Sequence, residues 1–174
     1  MNEKTNLKLY NVIFPIWLLW LFPMTWLVIL PSNFLIDTIV VLITLKVLKL
    51  SGQGIYKKII FKVWGFGFLS DFIGTFIMFS PSLIDGFLDY ESPMGKWWYE
   101  NLTNAVSYNP FESIFSFLWV TFAIIITSLF IYIFNYKISL RKVEIENALK
   151  KKIALSIAIF TAPFFFYLPT KWFY

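Results

Sequence analysis

Cysteine and histidine are both absent from the 174 residues. Their absence excludes disulfides, a thiolate nucleophile, an imidazole base and a Cys/His metal site. Charge is scarce as well. Asp, Glu, Lys and Arg make up 14% of the chain, against about 25% in an ordinary soluble domain. No Gly-rich phosphate loop of the GxxxxGK[ST] type occurs. General acid–base catalysis would rest on a few carboxylates alone, so neither an enzyme nor a bound cofactor or metal is expected.

What is present is apolar. Hydrophobic residues make up 59% and aromatic residues 22%, including 21 Phe, 8 Trp and 9 Tyr. Mean hydropathy is +0.70. A water-soluble fold of this length cannot hide that much apolar surface. A helix needs about 20 mostly apolar residues to cross about 30 Å of hydrocarbon. Five runs approach or exceed that length: residues 9–30, 33–50, 59–80, 113–136 and 153–168, the last reaching 170 with its flank. They predict an all-α, polytopic membrane bundle of five transmembrane helices in a single domain spanning residues 1–174. Pro31-Ser32-Asn33 predicts a tight turn that makes runs one and two a helical hairpin. Pro15, Pro23 and Pro163 predict kinks inside the first and fifth spans.

The charges give this bundle an orientation. With the N-terminus inside, Lys4 and Lys8 lie on the cytoplasmic side. So do Lys46, Lys49, Lys57, Lys58 and Lys62 around the basic loop 51–58, and Lys137, Arg141, Lys142, Lys150, Lys151 and Lys152 around the loop 137–152. Those are 13 of the 15 basic residues. Only Lys96 and Lys171 remain outside, while the long outer loop 81–112 holds Asp85, Asp89, Glu91, Glu100 and Glu112. The positive-inside rule therefore predicts N-in and C-out. The first run is too long for a signal peptide and lacks a small-x-small cleavage site, so it reads as a retained span. The expected location is a cell membrane, of the bacterial cytoplasmic type. The expected partner is the lipid bilayer, and the net charge of +5 is read as topology rather than as nucleic-acid binding.

Two acids lie inside the runs. A carboxylate in the membrane costs about 2.5–3.5 kcal/mol on insertion scales and is expected to face a bundle interior or water. Asp37 lies roughly 6 Å, and Asp71 roughly 12 Å, from the outer ends of their helices at 1.5 Å per residue. Helical spacing puts Gly67, Ser70, Asp71, Gly74 and Thr75 on one face. Gly67 and Gly74 thin that face for close helix packing, and Ser70 and Gly74 make a small-xxx-small pair. Asn33, Asp37 and Thr44 align on the preceding helix. These residues predict a cation, proton or solute site formed by Asp71, Asp37, Ser70, Thr44 and Asn33. Alternatively, each acid is satisfied locally, Asp37 by helix-start amides or by Ser32 and Asn33, and Asp71 by a tyrosine hydroxyl, an indole N–H or a threonine on another helix. In the outer loop, Trp97 and Trp98 are expected to anchor short amphipathic helices at the headgroup layer.

Two acids on neighbouring helices resemble the membrane aspartyl proteases. Gly65-Phe66-Gly67 is followed by Phe68, however, where that family carries its acid directly, so the spacing excludes the family. The expected function is that of a small transport or channel-type protein for a cation or small solute. Five helices are thin for a pore, so this expectation calls for a homo-oligomer or a partner membrane subunit. The alternative is a non-catalytic membrane module that binds another protein, such as an accessory subunit, an immunity protein or an assembly factor.

Overall fold

The computed structural model describes residues 15–50 and 52–173, and among these every regular element is helical. Three stretches are long and apolar enough to cross a membrane: Pro23–Val47, Gly54–Asp85 and Ile114–Ser139. Four helices form the frame: α1 (Trp26–Val47), α2 (Gly52–Asp85), α5 (Ile114–Phe134) and α6 (Asn147–Phe160). They close a ring in which α1 touches α2, α2 touches α5, α5 touches α6 and α6 returns to α1. Neighbours run antiparallel. Asn33 meets Asp71 and Thr38 meets Tyr56, while Trp119 meets Ile77 and Phe134 meets Phe66. This is an up-and-down ring, in which consecutive frame helices are neighbours. It also gathers Lys46, the Lys57/Lys58/Lys62 group, Lys137 and Lys150–Lys152 at one end.

The proline expectations are reversed in part. Pro31 sits inside α1, and no turn interrupts the helix there. Carbonyls around the ring find side-chain donors: Ser32 Oγ donates to Val28 O at 2.8 Å and Trp64 Nε1 to Leu30 O at 2.9 Å. Both bonds lie close to Leu27 O, the carbonyl from which Pro31 withholds its helical donor. Runs one and two are therefore not a hairpin. Pro15 and Pro23 instead break the first run into 3-10 turns, Ile16–Leu21 and Pro23–Thr25. Residues 1–14, which begin that run, lie outside the described residues.

Two further boundaries differ. The basic segment 51–58 is helical from Gly52, and α2 continues through Pro81 to Asp85. The carbonyl freed by Pro81, Ile77 O, accepts from Ser80 Oγ at 2.6 Å and Trp119 Nε1 at 3.0 Å. The α1–α2 connection is consequently very short. Lys49 takes φ 54, with Leu50 N–H donating to Leu45 O and Lys49 N–H to Lys46 O, the hydrogen-bond pattern of a Schellman turn.

The long connection folds over the opposite end as α3 (Pro93–Trp98), a π-helical stretch Tyr99–Asn104 and α4 (Ala105–Tyr108). It packs through buried Leu102, Ala105 and Val106. Trp98 Nε1 donates to Pro81 O at 3.0 Å, pinning the connection to α2. Trp97 is edge-on to Phe115 at 4.9 Å and 40% exposed. Gly95 is required here, since a Cβ would stand 2.1 Å from Asp89 O.

The outer flanks carry exposed Leu35, Ile39, Ile43, Phe61, Phe122, Ile125 and Leu129. Apolar surface on that scale is unsuited to water and suited to lipid.

Candidate functional site

The site arises where the fourth leg of the ring gives out. α6 stops at Phe160, with Thr161 at its C-terminus and Pro163 two residues on. Proline cannot continue the helical hydrogen bonding. The chain goes on as 3-10 turns, Phe164–Tyr167 and Thr170–Trp172. The Ile16–Leu21 turn enters the same corner. Trp17 lies against Phe79 and donates to Val106 O at 3.2 Å, while Trp20 is edge-on to Phe166 at 6.1 Å. These irregular pieces do not fill the volume that a full helix would occupy. A cavity of about 540 Å³ remains between α1, α2 and the segment after α6.

Asp37 and Asp71 both line this cavity, with Asn33 and Gly67. Asn33 Nδ2 donates to Asp71 Oδ2 at 3.3 Å. The other oxygen, Asp71 Oδ1, is buried without a hydrogen-bond partner, and Asp71 as a whole is 7% exposed. The Trp20 indole lies beside the same carboxyl without closing a hydrogen bond by distance and angle. Asp37 is 4% exposed, and its Oδ2 lies 3.4 Å from the position a Cβ would take on Gly67. No lysine or arginine lines the cavity, and among the described residues neither acid belongs to an ion pair. Buried charges are normally paired, because desolvation is costly. Two carboxyl groups meeting in a space without a cation cannot both hold a charge cheaply, so the site favours a shared proton or a bound cation. A group of three or more His, Cys, Asp or Glu able to hold a metal ion does not occur among the described residues.

The remaining expected residues divide. Asn33 is brought to Asp71, although it was expected at a helix start rather than in mid-helix. Ser70 is fully buried but turns its hydroxyl to Phe66 O at 2.7 Å and is not part of the lining. Thr44 shares a hydrogen bond of 2.7 Å with Ser156 Oγ, away from the acids. Gly74 is a packing glycine. A Cβ there would meet Thr127 Oγ1 at 2.1 Å and Phe166 at 2.9 Å. Gly67 instead leaves room for a carboxylate. Sequence reasoning missed Trp20, Thr161 and Tyr167, which complete the lining. In a chain with 8 Trp and 21 Phe, no aromatic residue stands out by type. The available signal was Pro163, which marks where the last helix fails.

No family model, curated protein or solved structure matches the chain.

Proposed function

We propose that this is a multi-pass protein of a cell membrane that takes a cation or small solute at Asp37 and Asp71 and moves it across the bilayer. One observation carries the reading: two buried carboxyl groups from different helices share a cavity lined by no basic side chain. Intramembrane acids are costly and mark ion or substrate pathways by default. The cavity does not suit an open channel. Between the acids and the lysine-rich end, Val41, Leu45, Ile59, Val63, Ile131 and Ile157 form a closed apolar core. A transporter open to one side fits that arrangement better, with passage requiring rearrangement or a second copy of the chain.

The orientation follows the positive-inside rule, with the lysine-rich end cytoplasmic and the C-terminus outside. α1, α2 and α5 make three crossings. α6 has 14 residues, short of the 20 or so needed, and its 3-10 continuation completes a fourth. The cysteine-free chain makes this easy to test with single cysteines. A cysteine at Lys150 is expected to label from the cytoplasmic side and one at Phe87 from outside.

Reconstituted wild-type protein is expected to pass cations or protons, and Asp71→Asn to lower that flux at least tenfold with the helical content unchanged. Wild-type vesicles that stay tight to Na⁺, K⁺ and protons and to organic cations would overturn transport. A second reading, a module that docks a partner protein, is favoured by the connection over the far end, where Phe87, Tyr90 and Met94 are each more than half exposed. It predicts a single protein recovered with the chain in mild detergent and lost in a Phe87→Ser/Met94→Ser variant.

A further inference from the structure

We infer that the cleft binds an organic cation, one positive charge on an apolar or aromatic body, in preference to a bare inorganic ion; this rests on reading Asp37 and Asp71 as a cation site. Three features of the cleft separate these ligands.

The first is size. About 540 Å³ falls within the range of roughly 300–1,000 Å³ that holds drug-sized ligands. A single dehydrated ion would leave most of it empty. A neighbouring cavity of about 500 Å³ shares Trp20, Asn33, Ile36, Phe165 and Leu168 with the first, extending the same apolar space.

The second is the balance of donors and acceptors. An inorganic cation needs several oxygens around it. At the acids, the neighbouring groups are donors, the Asn33 amide and the Trp20 indole N–H. Thr161 Oγ1 gives its proton to Ile157 O at 2.9 Å, which leaves the hydroxyl oxygen as an acceptor on the lining, as is the Asn33 amide oxygen. The other side-chain acceptors at the acids are the two carboxyl groups, including the unpartnered Asp71 Oδ1. That set can neutralise a charge, but it offers few neutral oxygens to complete a coordination sphere.

The third is the wall. Phe160, Phe164, Phe165 and Trp172 border the cavity and are each more than half exposed, while the acids are buried deeper. Aromatic faces attract alkylated or delocalised cations, which shed water readily. They cannot replace the hydration shell of Na⁺ or K⁺. The arrangement is a floor of two carboxyl groups under an aromatic wall, complementary to an amphiphile with a cationic end, whose charge would hold a carboxylate ionised there. An anion would find no basic side chain on the lining, and a neutral solute would supply no charge to ionise the acids.

The test uses the purified full chain in lipid nanodiscs, titrated with tetraphenylphosphonium and benzyltriethylammonium. Binding is read by calorimetry and by quenching of tryptophan fluorescence, since Trp20 and Trp172 line the site. At least one probe is expected to bind saturably at one site per chain. Neutral triphenylphosphine oxide should not compete, and a hundredfold excess of NaCl or KCl should displace less than half. Asp71→Asn and Asp37→Asn should each weaken binding about tenfold. Asp37→Asn and the neutral competitor keep the proposal exposed should Asp71→Asn fail to fold. Absence of saturable binding by both probes, or equal binding in both variants, overturns the inference. Asp71-dependent flux of Na⁺, K⁺ or protons without probe binding would sink the inference and leave the transport reading standing. Probe binding that depends on both acids, with no flux of any cation, would do the reverse.

Discussion

Consider the two ends of the four-helix ring. At the lysine-rich end all four helices are present, and aliphatic side chains fill the space between them, with Leu45, Ile59, Ile131, Ile153 and Ile157 buried completely. At the other end α6 is missing, and aromatic pieces from both chain termini take its place around Met78, Val120 and Phe166. One end is closed and carries its charges outside. The other is incompletely filled and carries two acids inside. Packing density is what holds helices together in lipid, where there is little hydrophobic drive between them. The closed end should therefore hold most of the stability, and the open end should be free to bind.

The largest effect that checks this comparison is truncation at the closed end. Leu45→Ala removes a fully buried side chain. In soluble proteins such a change costs about 2–5 kcal/mol. With transfer to lipid nearly neutral, the lost dispersion should place it near the lower bound, about 2 kcal/mol. Phe165→Ala, on the cleft rim and 57% exposed, should cost under about 0.5 kcal/mol, as surface substitutions do. Unfolding in mixed micelles compares them. Equal losses would remove the distinction between the ends.

Gly74 sits between the ends, where α2 meets α5. Gly74→Ala would put a methyl 2.1 Å from Thr127 Oγ1 and 2.9 Å from Phe166. Overpacking of this sort costs about 1–3 kcal/mol. Thr127→Ala in the same chain should return part of that loss, because it removes the nearest atom. A double variant no more stable than Gly74→Ala would show that Phe166, not α5, sets the limit.

A smaller effect is expected at Pro81. Trp119→Phe takes one of two donors from Ile77 O, leaving Ser80 Oγ. The loss should be about 0.5–1.5 kcal/mol, a typical hydrogen bond. In a Pro81→Ala background the restored backbone N–H can reach Ile77 O, and the same substitution should cost less. An undiminished cost there would mean that the indole acts by packing alone.

How much of this was legible beforehand depends on whether a property is local. The helical class, the apolar runs and the concentration of basic residues follow from composition and order along the chain; α5 lies where its run places it, and α2 contains its run but extends beyond both ends. That Asp37 and Asp71 face one interior space was within reach, because acids in apolar runs must find company and both were expected in the same half of a bilayer. Pro31 was misjudged because its local signal is a turn. α1 nevertheless runs through it, with the Trp64 indole, 33 residues further along the chain, closing onto Leu30 O beside the ring. Ser70 and Thr44 lie off the cavity for a similar reason. A shared helical face does not say whether a hydroxyl turns to its own backbone, as Ser70 does, or to a fourth helix, as Thr44 does. The cleft itself was invisible, since it is made by the early end of α6 and by aromatic residues indistinguishable in sequence from those facing lipid.

Gly67 gives the smallest expected change in stability and the cleanest separation of the two ends. Both Gly67 and Gly74 are buried on α2, seven residues apart, and their sequence signal is the same. The space beside Gly74 is filled by a neighbouring helix, whereas the atom nearest a Cβ on Gly67 is Asp37 Oδ2, at 3.4 Å. That is an ordinary contact, so Gly67→Ala needs no rearrangement. Alanine also favours the helix over glycine by about 0.8–1 kcal/mol, so the variant should be as stable as the wild type or slightly more so. Its methyl lies against the Asp37 carboxyl group and narrows the approach to the cleft. Binding of an organic cation should weaken several-fold while the unfolding midpoint stays level or rises. If binding and stability fell together, Gly67 would be a packing residue like Gly74, and the open end would be as tightly built as the closed one.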